Sequence, residues 1–267
     1  MSRWARRALF AVALLGTAFV VAAVLRVPVC LPFDFVWNLG PAVTADDLRP
    51  PNDGKVRVVF LQHGLWRTPM SLDRLERSLV ASGYEVVNCG YPSTEDRIEG
   101  HAQRLRDAVE RRVAAGRVDE LSFVGHSMGG LVIQEYLRRD DAREPKACVY
   151  VASPHRGAIL ADKRHHWFAF RLAMGDLAAG QLVTSDPFHL QPIPFGGRSG
   201  TVAGDIGPGN GSIPGHDDGT VGVAEATFAG CADAITVPFG HTSIVIRERV
   251  LRQVMAFLRD GRFARGS

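Results

Sequence analysis

Cysteine is scarce in this sequence, and the four cysteines stand far apart: Cys30, Cys89, Cys148 and Cys231. A structural zinc site needs cysteines or histidines paired at short spacing, and the adjacent His165 and His166 point apart in a helix or strand. We therefore expect no metal site. In an exported protein the cysteines could form disulfides, whereas Cys148, in a predicted buried strand, is equally well explained as a core residue.

An uninterrupted glycine-rich phosphate loop is also lacking. Gly207, Gly209 and Gly211 alternate with other residues, but Pro208 and Pro214 interrupt them and no helix start follows at the required distance. We interpret this stretch as a flexible connection and expect no cofactor. The sequence shows no internal repeat and no pattern of a second domain.

Acidic residues are absent from the first 26 positions, which carry four arginines: Arg3, Arg6, Arg7 and Arg26. Since the whole chain has a net charge of +3, the remaining residues sum to −1. The basic character belongs to this N-terminal stretch, so the composition gives no reason to expect nucleic acid as a partner.

Between these arginines, Ala8 to Leu25 form a run of 18 residues without a charge. As a helix the run would span about 27 Å, close to the hydrocarbon thickness of a bilayer. It is longer than a usual signal-peptide core, and its one Ala-x-Ala lies in the middle rather than at the end. Residues 1–26 are therefore predicted to be an uncleaved membrane anchor, with the rest of the chain exported to the periplasmic or extracytoplasmic side. The alternative is a cleaved signal segment and a secreted protein.

Residues 27–55 contain five prolines, too many for regular structure. We interpret this segment as a tether. Its apolar residues, such as Phe33, Phe35 and Trp37, either lie at the membrane interface or pack along the following domain.

From residue 56 to residue 267, strand patterns alternate with helix patterns, as in a mostly parallel sheet with helices on both faces. Six strands are predicted, at residues 56–61, 84–89, 121–124, 147–151, 200–203 and 234–237. Val250, Val254 and Phe257 mark a closing helix that ends near Gly261. These patterns predict a single α/β domain.

The third strand runs directly into Gly125-His126-Ser127-Met128-Gly129-Gly130, and a helical pattern follows at once. A serine at such a turn is held in a strained backbone conformation, and the flanking glycines let strand and helix approach closely. The turn exposes the serine hydroxyl and places the Met128 amide at a helix N-terminus, where it stabilises a developing negative charge. The alternative is a serine in an ordinary glycine-rich turn.

This segment resembles the nucleophile elbow of the α/β-hydrolase family, in particular that of small bacterial lipases and esterases. The resemblance covers residues 56–258 and implies a Ser-acid-His triad in that chain order, with Ser127 as nucleophile. It also implies that Gln62-His63-Gly64-Leu65-Trp66 is the oxyanion loop, so that the amides of Leu65 and Met128 hold the oxyanion. For this loop the alternative is a surface turn that merely needs a glycine.

The triad histidine is expected after the last strand, where Gly240 lets the loop bend so that His241 can reach Ser127. A different strand order would be needed for the other conceivable bases, His155 and His216.

The triad acid is expected after the fifth strand, where three aspartates compete. Asp218-Gly219-Thr220-Val221 resembles the family's Asp-Gly-x-Val, so Asp218 is ranked first, Asp217 second and Asp205 third. The acid fixes the tautomer of the histidine and stabilises its imidazolium.

The implied function is that of a serine carboxylic-ester hydrolase, an esterase or lipase that acts on acyl or lipid esters through an acyl-enzyme. The same fold also hosts acyltransferases and thioesterases, and less often inactive binding modules, so the fold alone does not fix the reaction. The sequence gives no indication of the oligomeric state.

Access to the site is expected to depend on residues 153–198, between the fourth and fifth strands. Trp167, Phe170, Met174 and Leu177 recur there at helical spacing. They predict either a helix packed on the sheet or a short mobile lid whose apolar face turns towards lipid.

Overall fold

The computed structural model describes residues 34, 38–167, 175 and 177–265. Within these residues the strands are β1 (Arg57–Gln62), β2 (Glu85–Cys89), β3 (Glu120–His126), β4 (Ala147–Val151), β5 (Ser199–Gly204) and β6 (Asp233–Val237). The α-helices are α1 (Asp73–Ala81), α2 (Ile98–Ala114), α3 (Met128–Leu137), α4 (Ile159–Arg164), α5 (Leu177–Gly180) and α6 (Glu248–Asp260). All six predicted strands are present, and their ends differ from the prediction by two residues at most.

The six strands form one parallel sheet in the order β2-β1-β3-β4-β5-β6. The predicted architecture, a single α/β domain with a mostly parallel sheet, is confirmed. After β1 the chain moves to the edge strand β2 and then returns to the other side of β1 with β3. The carboxyl ends of β1 and β3 therefore flank the point where the strand order reverses, which is where open α/β sheets place their sites.

Alternate residues of the central strands face two separate cores, as the period of two along a strand requires. Val59 and Leu61 of β1 pack with the buried residues of α1 and α6. Val58 and Phe60 pack with α2 and α3 on the opposite face. Helices thus cover both faces of the sheet.

The last helix ends as predicted, and the first helix is preceded by a short turn. Helix α6 ends at Gly261, which adopts the left-handed conformation with φ of 69°, as expected for a glycine after a helix. Before α1, Pro69 begins a 3-10 turn, Pro69–Leu72, but Thr68 makes no capping hydrogen bond through its side chain. Proline thus stands at the first position of the turn, where its missing N–H group is not needed for a hydrogen bond.

The described part of the predicted tether packs on the domain. Val43, Ala45 and Leu48 are buried in the core formed with α1 and α6, and Asp34 is buried in an ion pair with Arg67. Phe33, Phe35 and Trp37 and the whole predicted anchor lie outside the described residues. In the part of the chain that the structure describes, no helix has the length and apolar character needed to cross a membrane.

Candidate active site

Ser127 lies at the turn between β3 and α3. Its backbone has φ of 54° and ψ of −130°, a conformation that is strained for a residue with a side chain. A Cβ on Gly125 would lie 2.6 Å from the Gly130 backbone, and one on Gly129 would lie 2.2 Å from the carbonyl oxygen of Gln62. Because real Cβ atoms do not approach other atoms so closely, the turn requires glycine at both positions, which is the spacing seen in the sequence.

His241 connects Ser127 to Asp218. The ring nitrogen Nε2 of His241 lies 3.0 Å from Ser127 Oγ, and Nδ1 lies 2.7 Å from Asp218 Oδ2. A carboxylate only accepts hydrogen bonds, so Nδ1 carries the hydrogen and donates a hydrogen bond to Asp218. Nε2 is therefore free to accept a hydrogen bond from the serine hydroxyl. The structure therefore brings the three residues together in the order that proton transfer from Ser127 requires.

The three candidate acids have different partners. Asp218 is buried beside His241, and its other oxygen, Oδ1, accepts the backbone amides of Thr220 and Val221 at 2.9 and 2.7 Å. Asp217 accepts hydrogen bonds from the backbone amides of Gly219, over 2.6 Å, and Asn210. Asp205 binds the exposed ring of His216 at 2.8 Å. Within the described residues, Asp218 is the one of the three whose carboxylate contacts His241.

His126 holds the backbone of His241, a contact that the motif did not reveal. Its Nε2 donates to the carbonyl oxygen of His241 over 3.1 Å, and the amide of His241 donates to the carbonyl oxygen of Asp218 over 2.8 Å. Burial lowers the pKa of His126 well below its ordinary value, so the ring is neutral and donates from one nitrogen. His126 thus fixes the loop that carries His241.

The loop after β1 lies against the nucleophile, as predicted for an oxyanion loop. A Cβ on Gly64 would come 3.0 Å from the Cβ of Ser127, and Leu65 lines the cavity that contains Ser127. Met128 is buried at the first position of α3, where its amide has no acceptor within the helix. Leu65 thus lines the cavity that contains Ser127, and Met128 follows Ser127 directly; their role as oxyanion donors stays a prediction.

His63 stabilises this loop through contacts with Tyr91 and Gly64. Its ring stacks on Tyr91 with the ring centroids 4.2 Å apart, the Tyr91 hydroxyl donates to the His63 carbonyl oxygen over 2.6 Å, and Nδ1 of His63 donates to the carbonyl oxygen of Gly64 over 3.0 Å. Burial lowers the pKa of His63 to about 4. The ring is therefore a neutral structural group at neutral pH.

Neither alternative base makes a hydrogen bond to Ser127. His155 is buried against Gln134, and burial lowers its pKa to about 3. His216 lies on the surface with its ring 63% exposed. Because the six predicted strands are present in the predicted sequence and His241 follows the last of them, the structure supplies no reason to exchange His241 for either.

A cavity of about 280 Å³ opens above Ser127 and His241. Its walls are mostly apolar and include Leu65, Trp66, Ala158, Leu160 and Leu182. The segment 153–198 thus supplies part of the wall through α4 and the residues after α5. A cavity of this size and character accommodates the apolar part of a small molecule.

The predicted lid lies only partly within the described residues. Trp167 is 55% exposed and Leu177 is 44% exposed, while Phe170 and Met174 are outside the described residues. Whether the four form one apolar face stays a prediction.

No disulfide and no metal cluster occurs within the described residues. Cys89, Cys148 and Cys231 are free thiols, and Cys30 lies outside the described part. No group of three or more histidine, cysteine or acidic side chains converges on a point in the described ranges.

Comparison with known proteins gives one family match. The model of the "Alpha/beta hydrolase family" matches residues 58–242, a range that begins in β1 and ends just after His241. No curated protein sequence matches significantly.

Solved structures with the same fold are distant in sequence. The mature lipase BlEst2 of Bacillus licheniformis is 20% identical, with 78% of this chain and 94% of that chain covered and a TM-score of 0.60. The metagenomic carboxyl esterase MGS0156 is 18% identical, with 79% and 76% covered and a TM-score of 0.58. The type II thioesterase BorB from the borrelidin biosynthetic cluster is 16% identical, with 79% and 94% covered and a TM-score of 0.51. At these identities the likeness extends to the fold.

Proposed function

Because the chain belongs to the alpha/beta hydrolase family, we propose that it hydrolyses carboxylic esters with Ser127 as nucleophile. The observation that carries the proposal is the line of hydrogen bonds from Ser127 through His241 to Asp218. A hydroxyl is a weak nucleophile at neutral pH and needs an adjacent base, which in turn needs a group that orients it. His241 and Asp218 meet these two needs.

The proposed reaction has two steps. As Ser127 Oγ attacks the ester carbonyl, His241 Nε2 accepts the hydroxyl proton, and Asp218 stabilises the resulting imidazolium. The amides of Leu65 and Met128 donate to the carbonyl oxygen as it becomes negative. The C–O bond to the alcohol breaks, and the alcohol leaves with the proton from His241. Water then attacks the acyl-enzyme with His241 as base, which releases the acid and restores Ser127.

Acyl esters or lipid esters are the proposed substrates. The mostly apolar wall of the cavity supports this class, as does the fold shared with proteins described as a lipase and a carboxyl esterase. A thioester is the second candidate, because the same attack applies to a thioester carbonyl and the thioesterase BorB has the same fold.

The direct test is hydrolysis of p-nitrophenyl butyrate by the wild type and by Ser127→Ala, with a butyryl thioester of similar size measured in parallel. The proposal expects ester turnover that falls by at least about 10³-fold in the variant. Turnover confined to the thioester would favour the second candidate. Folded wild-type protein that cleaves neither substrate would contradict the proposal and would favour an inactive binding module.

A further inference from the structure

The cavity above Ser127 is lined by cationic side chains and by no acidic ones. Two arginines, Arg67 and Arg164, line it. Among the described residues that line it there is no aspartate or glutamate. The carboxylate of Asp218 is turned towards His241, and its side chain is only 1% exposed. The formal charge that the described wall presents is therefore positive.

The two arginines differ in how their charge is balanced. Arg67 is 7% exposed and forms an ion pair with the buried Asp34. Arg164 is half-buried and makes no ion pair or hydrogen bond through its side chain within the described part of the chain. The uncompensated charge at this cavity therefore belongs to Arg164.

Arg164 shares one face of α4 with two other cavity residues. Leu160, Ala161 and Arg164 all line the cavity, and residues three and four apart lie on the same side of a helix. The adjacent Lys163 is exposed and donates instead to the carbonyl oxygen of Ser212 over 2.6 Å. The helix thus contributes two apolar residues and one arginine to the wall of the cavity that contains Ser127.

We propose that Arg164 binds an anionic group of the substrate, so that the preferred substrates are esters with an apolar chain and one carboxylate or phosphate. This inference rests on the proposed ester hydrolysis and specifies its substrate class. A guanidinium binds either anion through two parallel hydrogen bonds. The apolar wall formed by Leu65, Leu160 and Leu182 contacts the chain, while Arg164 contacts the charge.

Two pairs of esters test this proposal, and each pair differs only in an anionic group. On the acyl side the pair is p-nitrophenyl pentanoate and p-nitrophenyl hydrogen glutarate. On the alcohol side it is a monoacylglycerol and the corresponding acylglycerol phosphate. For each pair, kcat/KM for the anionic ester is divided by kcat/KM for the neutral ester. We expect Arg164→Gln to lower this ratio about tenfold in at least one pair. Arg164→Lys keeps the charge and should retain part of the ratio.

The control is Arg156→Gln, because Arg156 is exposed and lies outside the cavity wall. This change should leave both ratios as in the wild type. High salt should reduce the wild-type preference, because the cation is partly exposed to solvent.

The affected pair identifies the position of the anion: a change confined to the glutarate pair places it on the acyl chain, and a change confined to the phosphate pair places it on the alcohol. Neutral esters that are hydrolysed with both ratios unchanged in Arg164→Gln would overturn the inference and leave the proposed function in place. In that case Arg164 would only stabilise the C-terminus of α4, where a cation is favourable. Failure of the folded wild type to cleave all four esters would overturn both.

Discussion

At the scale of single residues, Asp218 and Asp205 lie in the same segment of the chain but make different contacts. It accepts from His241 and from two backbone amides, whereas Asp205 accepts from His216 and from the amide of Gly207. We expect Asp218→Asn to lower kcat by roughly 10³–10⁴-fold, because an amide does not hold the required tautomer of the histidine.

The matched control is Asp205→Asn, which should retain kcat within about twofold, since Asp205 does not touch the reacting groups. Both variants should be compared by steady-state kinetics on one ester. A larger loss in Asp205→Asn than in Asp218→Asn would reverse the assignment of the acid.

Gly64 is the second residue for which a small change has a defined consequence. A Cβ there would lie 3.0 Å from the Cβ of Ser127 and 3.3 Å from the carbonyl oxygen of His126. We expect Gly64→Ala to displace the oxyanion loop from the nucleophile and to lower kcat by about 10–100-fold. Thermal unfolding should show that the variant remains folded.

Gly197→Ala serves as the control for Gly64→Ala, because a Cβ at Gly197 meets nothing within 4 Å. Its activity should match the wild type. Full activity in Gly64→Ala would show that the loop after β1 does not need its close approach to Ser127.

The residues of the site that the sequence predicted are those that belong to short motifs. Ser127 and Asp218 stand in local patterns, and His241 follows from chain order. The hydrogen bond from His126 to the His241 carbonyl oxygen joins residues 115 positions apart, and no local spacing signals it. The uncompensated charge of Arg164 is a property of the assembled wall and was also beyond sequence reasoning.

At the scale of elements, the segment before β1 is tied to the site by one buried ion pair. Asp34 is fully buried, and its carboxylate pairs with Arg67 in the cavity wall. Burial raises the pKa of Asp34 to about 6, although the charge of Arg67 opposes that shift. The segment therefore acts as part of the domain rather than as a free tether.

We expect Asp34→Ala to reduce the free energy of unfolding by about 3 kcal/mol, because it leaves the buried guanidinium of Arg67 without a counter-charge. Chemical denaturation at pH 7.5 measures this loss. The double variant Asp34→Leu with Arg67→Met should recover most of it, since replacing a whole buried pair by apolar residues is often neutral. Additive losses in the double variant would contradict the ion pair.

This ion pair could not be read from the prolines of residues 27–55, which predicted only a lack of regular structure. Within this segment the structure describes one 3-10 turn, Asp46–Leu48. Burial of Val43, Ala45 and Leu48 depends on grooves made by α1 and α6, and α6 lies some two hundred positions further along the chain. The strands, in contrast, were predictable because their apolar runs carry their own signal.

At the scale of the whole molecule, buried neutral histidines make stability depend on pH. The pKa of His63 falls to about 4 on folding because of burial. Above about pH 6.5 the group is neutral in both states and contributes nothing. Below that pH the unfolded chain binds a proton that the folded protein does not, so stability decreases as the pH falls towards 4. The loss from His63 alone is about 2 kcal/mol between pH 6.5 and pH 5.

Urea denaturation of the wild type and of His63→Asn at pH 7.5 and pH 5 isolates this contribution. Asp34 acts in the opposite direction, because its pKa is raised on folding, but it is present in both proteins and cancels in the comparison. We expect the variant to lose about 2 kcal/mol less than the wild type on acidification. Equal losses in the two proteins would contradict a neutral buried His63.

The cellular position of the molecule rests on residues outside the described part. We propose that residues 8–25 remain uncleaved and anchor the protein, with the catalytic domain on the extracytoplasmic side. After extraction of membranes with alkaline carbonate, full-length protein should stay in the pellet, and a variant that lacks residues 1–26 should not. Full-length protein in the supernatant would contradict the anchor, and a shortened protein in the medium would support a cleaved signal segment.

Labelling with a fluorophosphonate, mapped by mass spectrometry of the digested protein, tests the central proposal most directly. The reagent forms a covalent bond with a serine only where a base activates the hydroxyl. We expect one label per folded chain, on Ser127, with none in Ser127→Ala and much slower labelling in His241→Ala. An unlabelled folded protein, or a label on a residue other than Ser127, would contradict a serine hydrolase that acts through Ser127 and His241.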